Sequence, residues 1–167
     1  MPRDDQKWKR MTGWSALEGR WLHRRHMHPE LLAQIAERIR QGELRHSGEL
    51  MLAVEAVSPS HEPDSRLRAL EVFGRLGVWD TPHNTGVLLY LALDRRRIEL
   101  VPDRGVTAPQ EAWNEICGRL ESRLRKGHYG PGLLAAVDEI EELLSRHCPE
   151  VPAHANTDDL PNVPVML

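Results

Sequence analysis

The chain has 167 residues, 40% of them hydrophobic and 28% charged, with a formal net charge of −3. This is the composition of one ordinary globular domain with tails, long enough to bury a core without disulfides or metals. No run approaches the ~18 apolar residues of a membrane span. The two cysteines, Cys117 and Cys148, lack CxxC spacing, which argues against a disulfide framework or zinc ribbon and for reduced thiols in a cytoplasmic compartment.

The charge is uneven. Residues 1–28 carry seven Lys/Arg against three Asp/Glu, so this arm is +4 and the remainder −7. Nucleic-acid binding by the whole domain is therefore not expected, and only the arm offers an electrostatic contact. The arm lacks the apolar core of a signal peptide, so the expected location is cytoplasmic, with peripheral membrane attachment as the alternative. Trp14, Leu17 and Trp21 are spaced to share one helix face. That face either packs on the domain or meets a protein or membrane surface.

Pro29 suits the first turn of a helix running to about Arg45, with Leu31, Ile35 and Ile39 on its inner stripe. Leu50 to Val54 is nearly continuous apolar sequence, as in a strand covered on both faces. After SPSHEPD, Asp64 or Ser65 caps a helix expected to bury Leu67, Leu70, Phe73 and Leu76. Gly86 to Leu93 reads as a second buried strand. Ile98 and Leu100 alternate with Arg97 and Glu99, giving a third strand with a wetter face, antiparallel to the second. Thr107 is expected to cap a helix lined by Trp113, Ile116, Cys117, Leu120 and Leu124. A last helix uses Leu133, Leu134, Val137, Ile140 and Leu144. The expected organisation is a helical, Trp-bearing arm (1–28), an α/β domain (29–148) and a disordered Pro-rich tail (149–167). The domain is expected to be an αβα sandwich, a small mixed β-sheet flanked by helices, with the first two strands parallel through a right-handed crossover.

That threading brings three polar clusters to one sheet edge. His46, Ser47 and Glu49 lie at the entrance of the first strand. Asp80, Thr81, His83 and Asn84 lie at the entrance of the second, and Asp103 and Arg104 at the exit of the third. Convergence of polar groups from separate loops is what a binding or catalytic cleft needs. Glu49, Asp80 and Asp103 supply carboxylates, and Thr81 and Asn84 supply neutral oxygens, the ligand types of hard cations such as Ca²⁺ or Mg²⁺. Arg104 suits a phosphate, and His46 or His83 a proton transfer. In an enzymatic reading Asp80 and Asp103 hold the ion, Glu49 is a ligand or base, and Arg104 binds a phosphate ester. Turn chemistry alone also puts such residues at strand ends, so a non-catalytic module with this cleft as a docking notch stands beside it. Phosphate loops of the GxxxxGK[ST] type, GxGxxG, HExxH and GxSxG are absent from the sequence.

The succession HSGELMLAVEAV, EVFGRLGVWDTPHNTGVLLYLAL, RRRIELVPDRGV and EAWNEICGRLESRLRKGHYGPGLLAAVDEIEELL resembles the TPM domain over about residues 29–148. The marks are Asn84, Gly86 and Val87 at the entrance of the second strand, the Arg-Ile-Glu strand, and the helix pair joined by Lys-Gly-x-Tyr-x-x-Gly-Leu. The resemblance implies an αβα sandwich, divalent-metal binding with Ca²⁺ the usual ion, and for some members acid phosphatase activity. Two departures stand out. The basic arm replaces the acidic Val-x-Asp segment usual before the first helix, and Pro102-Asp103-Arg104-Gly105 replaces a Gly-x-Gly.

Overall fold

The computed structural model describes residues 13–150, 152 and 159–167. The start of the arm (1–12) and residues 151 and 153–158 of the Pro-rich stretch expected to be disordered lie outside the described residues.

Helix α1 spans Trp14–His26 and α2 spans Pro29–Glu43. The His28 ring accepts from the Leu31 amide (3.3 Å) and so caps α2. The apolar stripe Leu31, Ile35, Ile39 is buried, as its spacing predicts. The helix stops at Glu43, before the predicted Arg45. There the Arg45 amide turns back to the Gly42 carbonyl, and the Glu43 carboxylate accepts from the Leu50 amide (3.0 Å).

Strand β1 (Glu49–Glu55) is buried at every position, and so is β2 (Gly86–Ala92). Between them lies α3 (Ser65–Arg75), capped by Asp64, whose carboxylate accepts from the Arg66 and Leu67 amides. The structure corrects part of the predicted inner face of α3. Phe73 and Leu76 do pack against the core, and Arg68, Ala69 and Val72 are buried, while Leu67 and Leu70 are exposed. The cause is Glu55, a carboxylate at the end of a buried strand. Arg68 reaches it through two bonds (3.1 and 2.7 Å), and the Tyr90 hydroxyl donates to it at 2.5 Å. A buried charge without a counter-charge is costly enough to set the rotation of the helix.

Strand β3 is Arg97–Pro102, followed by α4 (Gln110–Arg125) and α5 (Tyr129–His147). Pro109, not Thr107, occupies the cap of α4, and the Thr107 hydroxyl donates to the His147 carbonyl at 3.4 Å. A two-residue strand, β4 (Val165–Met166), completes the sheet in the order β3-β2-β1-β4. As predicted, β1 and β2 are parallel and β3 is antiparallel to β2.

The tail departs from the expected disorder over residues 159–167. Ala53 pairs with Val165 and Val54 with Met166 in parallel, and Leu160 is buried. Without β4, the apolar pair Ala53–Val54 would lie on an open edge of the sheet, an arrangement natural sheets avoid.

The pleat divides the core. Leu50, Leu52, Val54, Val87, Leu89 and Leu91 face one layer with α2, α4 and α5. Met51, Ala53, Leu88 and Tyr90 face the other, with α3 and Leu160. The result is the α/β sandwich with helices on both faces of a mixed sheet.

Candidate functional site

Backbone register brings the three polar clusters to one rim. Glu49 stands opposite Gly86 in the ladder. The Thr85 hydroxyl donates to the Ser47 carbonyl (2.6 Å), the Asp103 amide to Gly86 (2.9 Å), and the Gly105 amide to Asn84 (2.8 Å). A side chain at Gly105 would lie 2.1 Å from the His83 carbonyl, so glycine is what lets the two loops touch. Asn84 occupies the left-handed region (φ 54°), which its short amide side chain tolerates. The marks of this rim therefore serve backbone geometry first.

The side chains then go separate ways. Glu49 is in phase with Met51 and Ala53, so it points to the α3 layer. There its carboxylate accepts from the Leu160 amide at 2.6 Å. His46 lies on the opposite layer, 2.9 Å from Glu141 of α5, with both side chains almost fully buried. The Gly48 amide donates to His46 Nδ1 at 3.1 Å, so Nε2 carries the proton that is given to Glu141. Burial raises the Glu141 carboxyl above its ordinary value, and the neighbouring His46 opposes that rise.

Thr81 accepts the Thr85 amide on its hydroxyl at 2.9 Å. Asn84 accepts from the Arg104 guanidinium at 3.1 Å. Asp80, His83 and Arg104 are exposed, and Ser47 is buried. Asp103 accepts the Arg104 amide on Oδ1 (2.7 Å), while its Oδ2 is buried without a hydrogen-bond partner. The structure thus joins Asn84 to Arg104 and sends Glu49 and His46 to opposite layers. Among the described residues, no three His, Cys, Asp or Glu side chains form a group able to hold a metal ion.

Sequence reasoning missed the partners of the buried charges. Glu55 was visible as the single charge closing an apolar strand. Glu141 was visible as an acid in the stripe Val137, Ile140, Leu144. The amide of Leu160, more than a hundred residues from Glu49, left no local trace. Burial pushes the Cys117 and Cys148 thiols up to about 11, the state of inert core cysteines.

A second candidate surface lies on α1. This helix packs through Ser15, Gly19 and Leu22. Trp14, Leu17 and Trp21 are 64%, 63% and 55% exposed. They do share a face, and it is the outer one. The Arg25 guanidinium lies over the Trp21 ring at 5.2 Å, a cation–π distance. Among the described residues no helix is long and apolar enough to cross a membrane.

No curated protein matches the sequence significantly. Among solved structures, the NMR structure of the BA42 protein from the psychrophilic bacterium Bizionia argentinensis is similar, with a TM-score of 0.74 over 84% of this chain and 94% of that one. At 24% identity the likeness concerns the fold. A family model of the TPM domain matches residues 26–143, from the start of α2 to all but the last turn of α5, and the chain belongs to the TPM-domain family.

Proposed function

We propose that this chain is a non-catalytic TPM-domain binding module that works through the outer face of α1. The observation that carries the reading is the exposure of Trp14, Leu17 and Trp21 on a helix whose other face is packed against the domain. Large aromatic residues beside arginine are the composition of binding surfaces, and contiguous exposed apolar patches mark interaction sites. The rim supports the same reading, because Glu49, His46, Thr81 and Asn84 already serve internal hydrogen bonds. The decisive assay is hydrolysis of p-nitrophenyl phosphate with added Ca²⁺ or Mg²⁺. The reading expects the same background rate for the wild type and for Asp103→Asn. A metal-dependent rate that Asp103→Asn abolishes would replace it.

One observation favours a second reading, a divalent-cation site with phosphate-ester chemistry at the rim. Asp103 Oδ2 is a buried carboxylate oxygen without a partner, and Arg104 stands next to it. Asp103 would be the anchoring ligand, with Asp80, Thr81 and Asn84 in the adjoining loop and Arg104 for the phosphate. Glu49 would first have to leave the Leu160 amide. Binding to the folded state alone at a hundredfold excess over Kd stabilises by about 2.7 kcal/mol, which raises the Tm of a chain this size by about 5–10 °C. Such a shift with Ca²⁺, lost in Asp103→Asn, is the result this reading expects. An unchanged Tm would remove it.

A further inference from the structure

The outer face of α1 is held in place before any partner arrives. At Gly19 a Cβ would stand 1.9 Å from the Ala56 carbonyl and 2.9 Å from the Asp94 side chain, so only glycine allows the helix this close to the ends of β1 and β2. Three side chains secure the same helix. Glu18 is paired with Arg96 of the β2–β3 turn. The His23 ring nitrogen lies 3.2 Å from the Met166 sulfur on β4, and the His26 ring stacks on Tyr129 at 4.0 Å. The tryptophans therefore stand on a platform that is not free to turn them inward.

The charges beside them are one-sided. Arg20, Arg24 and Arg25 are exposed on α1, and the helix's single acid, Glu18, is already paired. Residues 13–28 are +2, three Arg against Glu18, and residues 29–167 are −7. A negatively charged plane would thus attract this face and repel the body behind it, fixing the orientation of the molecule.

We propose that the Trp14–Leu17–Trp21 face of α1, with Arg20, Arg24 and Arg25 beside it, lies on the surface of an anionic phospholipid bilayer. The assignment rests on the binding-module reading and names its partner. Trp14 and Trp21 are seven residues apart, about 10.5 Å along the axis and nearly two turns, so both rings meet one plane together. Indole is amphipathic and settles at headgroup depth, and the arginine stems cover apolar surface while their guanidinium groups reach phosphate. A fluid lipid surface accepts a convex aromatic ridge without a complementary pocket. An acidic protein would have to supply one.

The test is co-sedimentation of the full chain with vesicles of phosphatidylcholine alone and of phosphatidylcholine mixed with phosphatidylglycerol. The proposal expects binding to the mixed vesicles at least about tenfold tighter than to the neutral ones, and its loss near 1 M salt, where the Debye length is about 3 Å. Trp14→Ala with Trp21→Ala should weaken it more than about tenfold, and Arg20→Gln with Arg24→Gln by roughly fivefold per arginine. Trp79→Ala is the control. Trp79 is equally exposed but precedes β2, at the opposite sheet edge from Gly19, so its loss should change nothing. All these side chains are exposed, and circular dichroism checks that each variant folds. Absence of binding to mixed vesicles, or binding indifferent to Trp14 and Trp21, overturns the proposal. Trp-dependent binding to polyglutamate without vesicle binding would assign the face to an acidic polypeptide, again overturning it. Neither result touches the non-catalytic reading, which stands or falls on phosphate-ester hydrolysis.

Discussion

Helices α1 and α3 both turn large apolar side chains outward, for different reasons. In α3 the exposed residues are Leu67 and Leu70, and the inner face is given to Arg68, Ala69 and Val72. The buried carboxylate of Glu55 explains the choice: stranding it costs about 3–5 kcal/mol, and Leu67 and Leu70 are already about half covered, so completing their burial offers less. In α1 the inner face is Ser15, Gly19 and Leu22, and the exposed residues are two tryptophans and a leucine flanked by arginines. Among the described residues no buried charge sets that rotation, since the Glu18–Arg96 pair that secures α1 is partly exposed. The helix lies close because Gly19 is small, and what is left outside is far more apolar than its packing requires. Outward leucines on α3 are the by-product of an ion pair. Outward tryptophans on α1 are the surface that the proposed lipid contact would cover.

The contrast can be broken first at Arg68. Arg68→Ala leaves the buried Glu55 without its counter-charge and should cost about 3–5 kcal/mol of unfolding free energy, read from urea denaturation. Replacing both members, Glu55→Gln with Arg68→Met, should cost clearly less, because no charge is then stranded. A double variant as damaging as the single one would mean that something else sets the face of α3.

The clamp on α1 comes next. Gly19→Val drives a side chain into the Ala56 carbonyl and should destabilise by about 1–3 kcal/mol, with α1 losing amide protection first. A third buried charge, Glu141, sharpens the comparison through pH. Its carboxyl is raised above the ordinary value of 4.5 by burial. As pH rises from 4.5, the unfolded chain loses this proton before the folded one does. The stability contributed by Glu141 is therefore complete below that pH and falls as pH rises through the folded value. The difference in stability between wild type and Glu141→Gln should shrink over that window, and a difference that grows instead would reverse the assignment.

The smallest effects separate the two outer faces by function. Trp14→Ala and Leu67→Ala should each change stability by no more than about 0.5 kcal/mol, as exposed substitutions do. Only the first should weaken vesicle binding. Equal effects of the two on vesicles would erase the distinction between the faces.

These helices also mark where the sequence was legible. Strands β1 and β2 announce themselves by unbroken apolar runs, β3 by alternation, and α2, α4 and α5 by stripes that do face the core. Those elements are ruled by hydrophobic burial, the quantity periodicity measures. The sequence leaves the α1 face open between the domain and an outside surface, and it puts Leu67 and Leu70 of α3 inside, because periodicity shows which side is apolar, not which side is inside. Gly19 and Arg68 decide that through contacts with residues far along the chain. The rim of polar loops followed from threading alone. Its side-chain partners did not, since the Leu160 amide and the Glu141 carboxylate reach Glu49 and His46 from distant segments. Strand β4 was hidden for the same reason. Two residues beside prolines carry no strand signature, and only the open edge of β1 makes them one.

The most direct test of the central claim is hydrogen exchange of the α1 backbone amides in the isolated protein at neutral pH. The account expects protection across Leu17 to His26 before any lipid or partner is added, because the domain itself holds the helix with its tryptophans outward. Exchange at the rate of an unstructured chain would show that the platform does not exist until something binds, and would contradict it.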